Sequence, residues 1–202
     1  MSLLTLVRHG QSIYNRENRF TGILDVDLTP YGEDEARKAG DKLKGFQYAI
    51  AYTSVLKRAY ESLRIMLKET GQPLLPVIRS AAFNERGYGA LQGLNKAETI
   101  NKYGADQVER WRRSYTMRPP AGESLKDTFV RTVPYYQSEV EPRLRDNKNV
   151  LIVGHGNSLR ALMMYLEAID QETIATVNIP TGSPRNYTLD SELNITHVVY
   201  VP

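Results

Sequence analysis

Two short apolar runs end in nearly the same way. Leu3–Val7 leads into Arg-His-Gly-Gln-Ser at 8–12, and Val150–Val153 leads into Gly-His-Gly-Asn-Ser at 154–158. A run of four or five uncharged residues closed by a glycine turn reads as a buried strand, and Ser or Asn just beyond it is suited to capping a helix. The chain is thereby committed to strand–turn–helix units near both ends, and such units build α/β layers around a mostly parallel sheet. Only three histidines occur in 202 residues, and two of them stand at these junctions.

The chain between the junctions follows the same alternation. Thr29-Pro30 supplies an N-cap and a first-turn proline for a helix running to about Gly45. Tyr48–Tyr52 reads as a strand, the segment from Val55 to Gly71 as a helix, and Leu74–Ile78 as a further strand. Helical spacing returns over 95–114 with an interruption near Gly104, and MRPPAGE at 117–123 is a turn-rich connection. A long helix from Glu123 or Ser124 should be kinked or broken at Pro134 and Pro142. Ser158–Ile169 reads as a helix, and 186–189 and 195–201 as late strands. A chain of this length is expected to form one domain over 1–202, a three-layer sandwich with a mostly parallel sheet flanked by helices.

Composition narrows the chemistry. With no cysteine, disulfides, thiolate metal sites and thiol nucleophiles are excluded. The first apolar stretch is too short for a secretory signal, and no later run reaches membrane-spanning length. The formal charge is +3, but the 26 basic residues are interleaved with 23 acidic ones, which argues against nucleic acid or membrane as a partner and for a small anionic ligand. A cytoplasmic protein is the expectation. GDKLKGF at 40–46 has Phe where a phosphate-binding loop needs Lys, and GYGALQG at 87–93 misses the dinucleotide fingerprint by one residue.

Ligands of open α/β sheets bind beyond the carboxyl ends of the strands, where His9 and His155 are both expected. Each could be a hydrogen-bonded core residue, but two in one setting point to an anion-binding floor at helix starts. With a carboxylate such as Glu85 they could instead form a facial metal site. Arg8 opposes that alternative, because a guanidinium repels a cation and grips phosphate through paired N–H donors. Arg58 in SVLKRA could reach the same crevice if Tyr48–Tyr52 lies beside the first strand. His197 lacks such a setting and reads as structural. Without a nucleotide motif or metal cage, a histidine nucleophile is the economical route to phosphoryl transfer.

LVRHGQS at 6–12 and GHGNS at 154–158 resemble the two signatures of the histidine phosphatase superfamily. FTGILDVDLT at 20–29, YTSVLKRA at 52–59, NERGYGALQGLNKAE at 84–98, WRRSY at 111–115, ESLKDT at 123–128 and NIPTG at 178–182 resemble the cofactor-dependent phosphoglycerate mutase branch. The resemblance implies that His9 carries the phosphoryl group, that Arg8, Arg58, His155 and Asn15 hold its oxygens, and that Glu85 is the acid and base. It implies substrate contacts from Thr21, Gly22, Tyr88, Lys96, Arg112 and Arg113, with Ser12, Gly156 and Asn157 of the two signatures beside them. It further implies interconversion of 3-phosphoglycerate and 2-phosphoglycerate, priming by 2,3-bisphosphoglycerate, no metal, and a homo-oligomer, dimer or tetramer. A phosphomonoester phosphatase of the same superfamily and a non-catalytic phospho-ligand-binding module are the alternatives. Three departures bear on water exclusion: an extra loop of longer mutases is missing near 117–123, the chain ends soon after its last strand, and Gly87 stands where many relatives have His.

Overall fold

The computed structural model describes residues 1–202. Strands β1 (Ser2–Arg8), β2 (Ile50–Thr53), β3 (Val77–Arg79), β4 (Val150–Gly154), β5 (Arg185–Leu189) and β6 (Ile195–Tyr200) form one sheet in the order β3-β2-β4-β1-β5-β6. The four strands from β3 to β1 run parallel, while β5 and β6 are antiparallel to their neighbours. The helices are α1 (Ile13–Arg16), α2 (Pro30–Lys42), α3 (Lys57–Glu69), α4 (Lys96–Tyr103), α5 (Ala105–Arg113), α6 (Leu125–Tyr135), α7 (Glu141–Arg145), α8 (Gly156–Leu166) and α9 (Thr173–Thr176).

Side chains alternate across the pleat of a strand, and β4 shows both layers at once. Leu151 and Val153 pack with Ala36, Ala39, Leu63 and Met66 of α2 and α3. Val150 and Ile152 pack on the opposite face with Leu159, Leu162 and the 136–144 segment. β4 is therefore apolar throughout because both of its faces are covered. The inner side of α2 is built from small residues, and a β-carbon at Gly40 would lie 2.6 Å from Glu69 and 2.9 Å from the Met66 carbonyl, so α2 and α3 cross closely only with glycine there.

Several boundaries differ from expectation. β3 begins at Val77, since Leu74 is 94% exposed and lies outside the sheet. The helix after β4 starts at Gly156 with His155 at its N-cap, which places Asn157 and Ser158 in its first turn rather than at the cap. The long helix is interrupted where Pro134 and Pro142 suggest: α6 ends at Tyr135, one residue past Pro134, and Pro142 stands in the first turn of α7. The missing N–H of Pro134 deprives the Val130 carbonyl of a donor, but Val130 lies on the exposed side. The chain then widens into a π-helical turn over Tyr136–Val140, where the Tyr52 hydroxyl donates to the Glu139 carbonyl at 2.9 Å.

Candidate active site

The ends of β1 and β4 lie side by side, with Arg8 in register with Gly154 and the His9 N–H donating to the Gly154 carbonyl at 3.0 Å. This brings the two imidazoles together, ring centroids 4.9 Å apart. The loop after His9 is pressed onto α2. A β-carbon at Gly10 would stand 2.0 Å from the Gly32 carbonyl oxygen, a distance no side chain tolerates. The Gly10 N–H donates to Ser62 Oγ (3.0 Å) on α3, and the Gln11 N–H donates to Glu35 Oε2 (2.7 Å) on α2.

His9 is buried, and its Nδ1 lies 2.6 Å from the Gly10 carbonyl oxygen. A carbonyl only accepts, so Nδ1 carries the hydrogen and Nε2 keeps its lone pair. Burial, then the charges of Arg58 and Arg8, hold the imidazole well below its ordinary pKa of 6.5. His155 is also kept neutral, by burial first and by Arg58 next. Its Nε2 pairs with Ser54 Oγ at 2.7 Å, and its Nδ1 has no partner.

Arg58 extends from α3 and is 1% exposed. It donates to the carbonyls of Gly22 (2.8 Å) and Leu24 (2.9 Å), tying the 22–24 loop to the cavity wall. Arg8 donates to the Ile179 carbonyl at 2.8 Å, while its Nε is buried and unpartnered, as is Thr21 Oγ1. Buried polar atoms are nearly always satisfied. Orphans at Arg8 Nε, His155 Nδ1 and Thr21 Oγ1 around one histidine fit a ligand bearing several oxygens, such as a phosphoryl group.

The lining includes one carboxylate, Glu85, against the cations Arg8, Arg19, Arg58, Lys96, Arg112, Arg113 and Arg160. Glu85 Oε1 accepts from the N–H groups of Arg86 (2.9 Å) and Asn157 (3.0 Å). A β-carbon at Gly156 would contact Arg8 Cζ and Glu85 Oε2, both at 3.7 Å, so this glycine leaves the space between them open. Further out, burial and then Arg112 lower the Lys96 ammonium from its ordinary range. The Asn157 amide reaches the Tyr88 hydroxyl at 3.4 Å.

Every residue expected at the site from the sequence lines this cavity except Ser12 and His155. His155 abuts the His9 ring and Ser12 bonds to Asn15, two residues that do line it. Ser12 caps α1, and its N–H and hydroxyl both donate to Asn15 Oδ1 at 3.0 Å, which turns the Asn15 NH₂ away from the cap. Sequence reasoning missed Arg19, Phe20, Arg160 and the strap Val177–Ile179. Arg160 was legible in principle, because it falls three and four residues after Asn157 and Gly156, on the same helical face. It donates to Asn157 Oδ1 (3.1 Å) and to the Ile174 carbonyl (2.7 Å). Position 87 is not sterically reserved for glycine, since a β-carbon there meets only Glu123 at 3.7 Å or more. No group of three or more His, Asp or Glu is placed to hold a metal ion.

The family model for the histidine phosphatase superfamily (branch 1) matches residues 4–197. A 2,3-bisphosphoglycerate-dependent phosphoglycerate mutase of Cytophaga hutchinsonii is 56% identical over 201 residues, covering 100% of this chain and 94% of that protein. A protein of the same name from Parvibaculum lavamentivorans is 50% identical over 193 residues, covering 95% and 92%. Among solved structures, Bacillus stearothermophilus YhfR superposes with a TM-score of 0.85 at 26% identity over 99% of this chain and 96% of that one. A mycobacterial glucosyl-3-phosphoglycerate phosphatase, in complex with VO3, superposes with a TM-score of 0.81 at 28% identity over 93% of both chains.

Proposed function

Because the chain belongs to the histidine phosphatase superfamily, we propose that it interconverts 3-phosphoglycerate and 2-phosphoglycerate as a 2,3-bisphosphoglycerate-dependent mutase, the activity its 50% and 56% identical relatives are named for. That activity belongs to glycolysis and gluconeogenesis and suits a cytoplasmic location; no helix is long and apolar enough to cross a membrane. The observation that carries the reading is an uncharged His9 with Nε2 free, set among Arg8, Arg58 and His155 beside a single carboxylate.

In this scheme His9 Nε2 attacks phosphorus, and the N–P bond forms as the ester P–O bond breaks. Arg8, Arg58, His155 and Asn15 surround the oxygens on which charge develops. Glu85 gives its proton to the departing oxygen and takes one back from the hydroxyl that next attacks. Lys96, Arg112 and Arg113 hold the anionic end remote from the reacting phosphate, with Tyr88, Thr21 and the Gly22 backbone beside them. 2,3-Bisphosphoglycerate supplies the phosphoryl group that primes His9. The guanidinium cluster does the charge-neutralising work that a metal ion performs in other phosphoryl-transfer sites, so the scheme calls for no metal.

A second reading, net phosphatase action, is favoured by the phosphatase name of a structural neighbour and needs only water in place of the second substrate. Phosphorus NMR of metal-free protein with 3-phosphoglycerate, with and without a trace of 2,3-bisphosphoglycerate, separates the two. Isomer formation stimulated by the trace compound and indifferent to chelator supports the mutase. Inorganic phosphate as the main product supports the phosphatase, and loss of all turnover on chelation contradicts both.

A further inference from the structure

Glu85 sits on an irregular stretch between two single-turn 3₁₀ helices, Ala81–Phe83 and Gly89–Leu91. Its carboxylate accepts directly from the Arg86 and Asn157 N–H groups, but neither turn supplies a hydrogen-bond ladder that would fix the backbone carrying it. The fixing groups come from elsewhere. Arg131 on α6 donates through Nη1 to the Ala82 carbonyl (2.8 Å) and, more weakly, to that of Ala81 (3.3 Å), and through Nη2 to the carbonyls of Asn84 (3.0 Å) and Glu85 itself (3.1 Å). Its Nε and Nη2 also meet the Glu123 carboxylate at 3.3 and 3.2 Å. Glu123 Oε2 in turn accepts from the Gly87 N–H (2.8 Å), and the Glu123 N–H donates to the Gly87 carbonyl (2.7 Å). The backbone is therefore gripped by Arg131 at Asn84 and Glu85 and by Glu123 two residues further on, at Gly87, and neither gripping residue lines the cavity.

We propose that Arg131 and Glu123 are a positioning pair that sets the Glu85 carboxyl at the proton-transfer position without contributing to anion binding. The pair is 25% and 35% exposed, so its ionic attraction alone contributes little. What it supplies is geometry: a planar fork of fixed donors aimed at four carbonyls of the 81–85 segment, which an ammonium cannot reproduce. A group that transfers a proton must lie within hydrogen-bond reach of the departing oxygen, and displacement of about 1 Å costs on the order of a hundredfold. The inference rests on Glu85 being the proton donor.

The test compares single-turnover phosphoryl uptake by His9 from two donors. In both, the N–P bond forms at His9 Nε2 and an ester P–O bond breaks. With 2,3-bisphosphoglycerate the departing alkoxide takes the Glu85 proton, whereas p-nitrophenyl phosphate releases a phenolate that leaves unaided. Arg131→Met and Glu123→Ala are expected to slow uptake from the first donor by about 10- to 100-fold and from the second by less than about threefold, with vanadate affinity unchanged. Glu85→Gln serves as the benchmark for donor discrimination. Equal losses from both donors, or no loss, in the Arg131 and Glu123 variants while Glu85→Gln discriminates overturns the positioning pair alone. Failure of Glu85→Gln to discriminate removes the role of Glu85, and the pair with it. If Arg131→Met does not fold, Glu123→Ala decides, since it leaves the contacts of Arg131 with the carbonyls in place.

Discussion

The imidazoles of His9 and His155 stand edge to face, 4.9 Å between centroids and 61° between planes, at the ends of two hydrogen-bonded parallel strands. Two rings this close, buried beside Arg8 and Arg58, cannot both be charged, and each is held neutral by burial and by those guanidiniums.

That neutrality has a defined pH signature. A histidine with a depressed pKa in the folded state stays unprotonated while the unfolded chain begins to bind protons near pH 6.5. Stability is therefore full above about pH 6.5 and falls as the pH drops from there toward the lower folded-state pKa. Thermal melts of the protein and of His9→Asn are expected to differ in slope below pH 6.5, with the variant losing less. Single-turnover phosphoryl uptake should show no inflection at the ordinary histidine pKa.

Arg58 joins fold and site. Replacing it with Ala removes the donors to the Gly22 and Leu24 carbonyls, at a cost of about 1–3 kcal/mol for the buried Gly22 carbonyl and less for the half-buried Leu24 one. It also removes a charge that burial lowers only to about 10, still protonated at neutral pH. Phosphoryl uptake should fall by about 10²–10³-fold. Arg58→Lys should not restore it, because the three donors of an ammonium diverge from one point and do not reproduce the planar fork that spans two carbonyls and an anion. Urea midpoints with single-turnover kinetics check both parts.

The carboxyl ends of β1 and β4, the capped start of α2 at Thr29 and the stop at Gly71 were legible because local chemistry determines them. The direction of β5 and β6 was not, because a five-residue strand carries no mark of parallel or antiparallel pairing. The π turn after Tyr135 was invisible for a related reason, as the Tyr52 hydroxyl that donates to its Glu139 carbonyl is far away in sequence. At the site, residues carried by the two His-Gly signatures were readable. The strap Val177–Ile179 was not, because its contacts to Arg8 and Arg113 use backbone carbonyls that any residues would supply.

Gly10 and Gly87 are predicted to behave oppositely. Gly10→Ala drives a β-carbon into the Gly32 backbone and should cost about 1–3 kcal/mol or more, with displacement of the His9 loop. Gly87→Ala meets only ordinary contacts with Glu123 and should change stability by no more than about 0.5 kcal/mol. Denaturant titrations of the two variants side by side decide this.

Arg113 lines the outer cavity and donates to the Val177 carbonyl at 3.3 Å. Arg113→Ala should raise the KM for 3-phosphoglycerate about tenfold, the value of one lost charge-assisted hydrogen bond. Phosphoryl uptake by His9 from p-nitrophenyl phosphate should stay within about twofold. Equal loss in both measurements would remove Arg113 from the substrate-holding set.

The most direct measurement is to quench a single turnover with labelled 2,3-bisphosphoglycerate in alkali, which preserves phosphorus bonded to imidazole, and to locate the label by peptide mapping. The label should lie on His9, be unaffected by chelator, and vanish in His9→Ala together with mutase turnover. Label on any other residue, or turnover surviving in His9→Ala, would contradict the account.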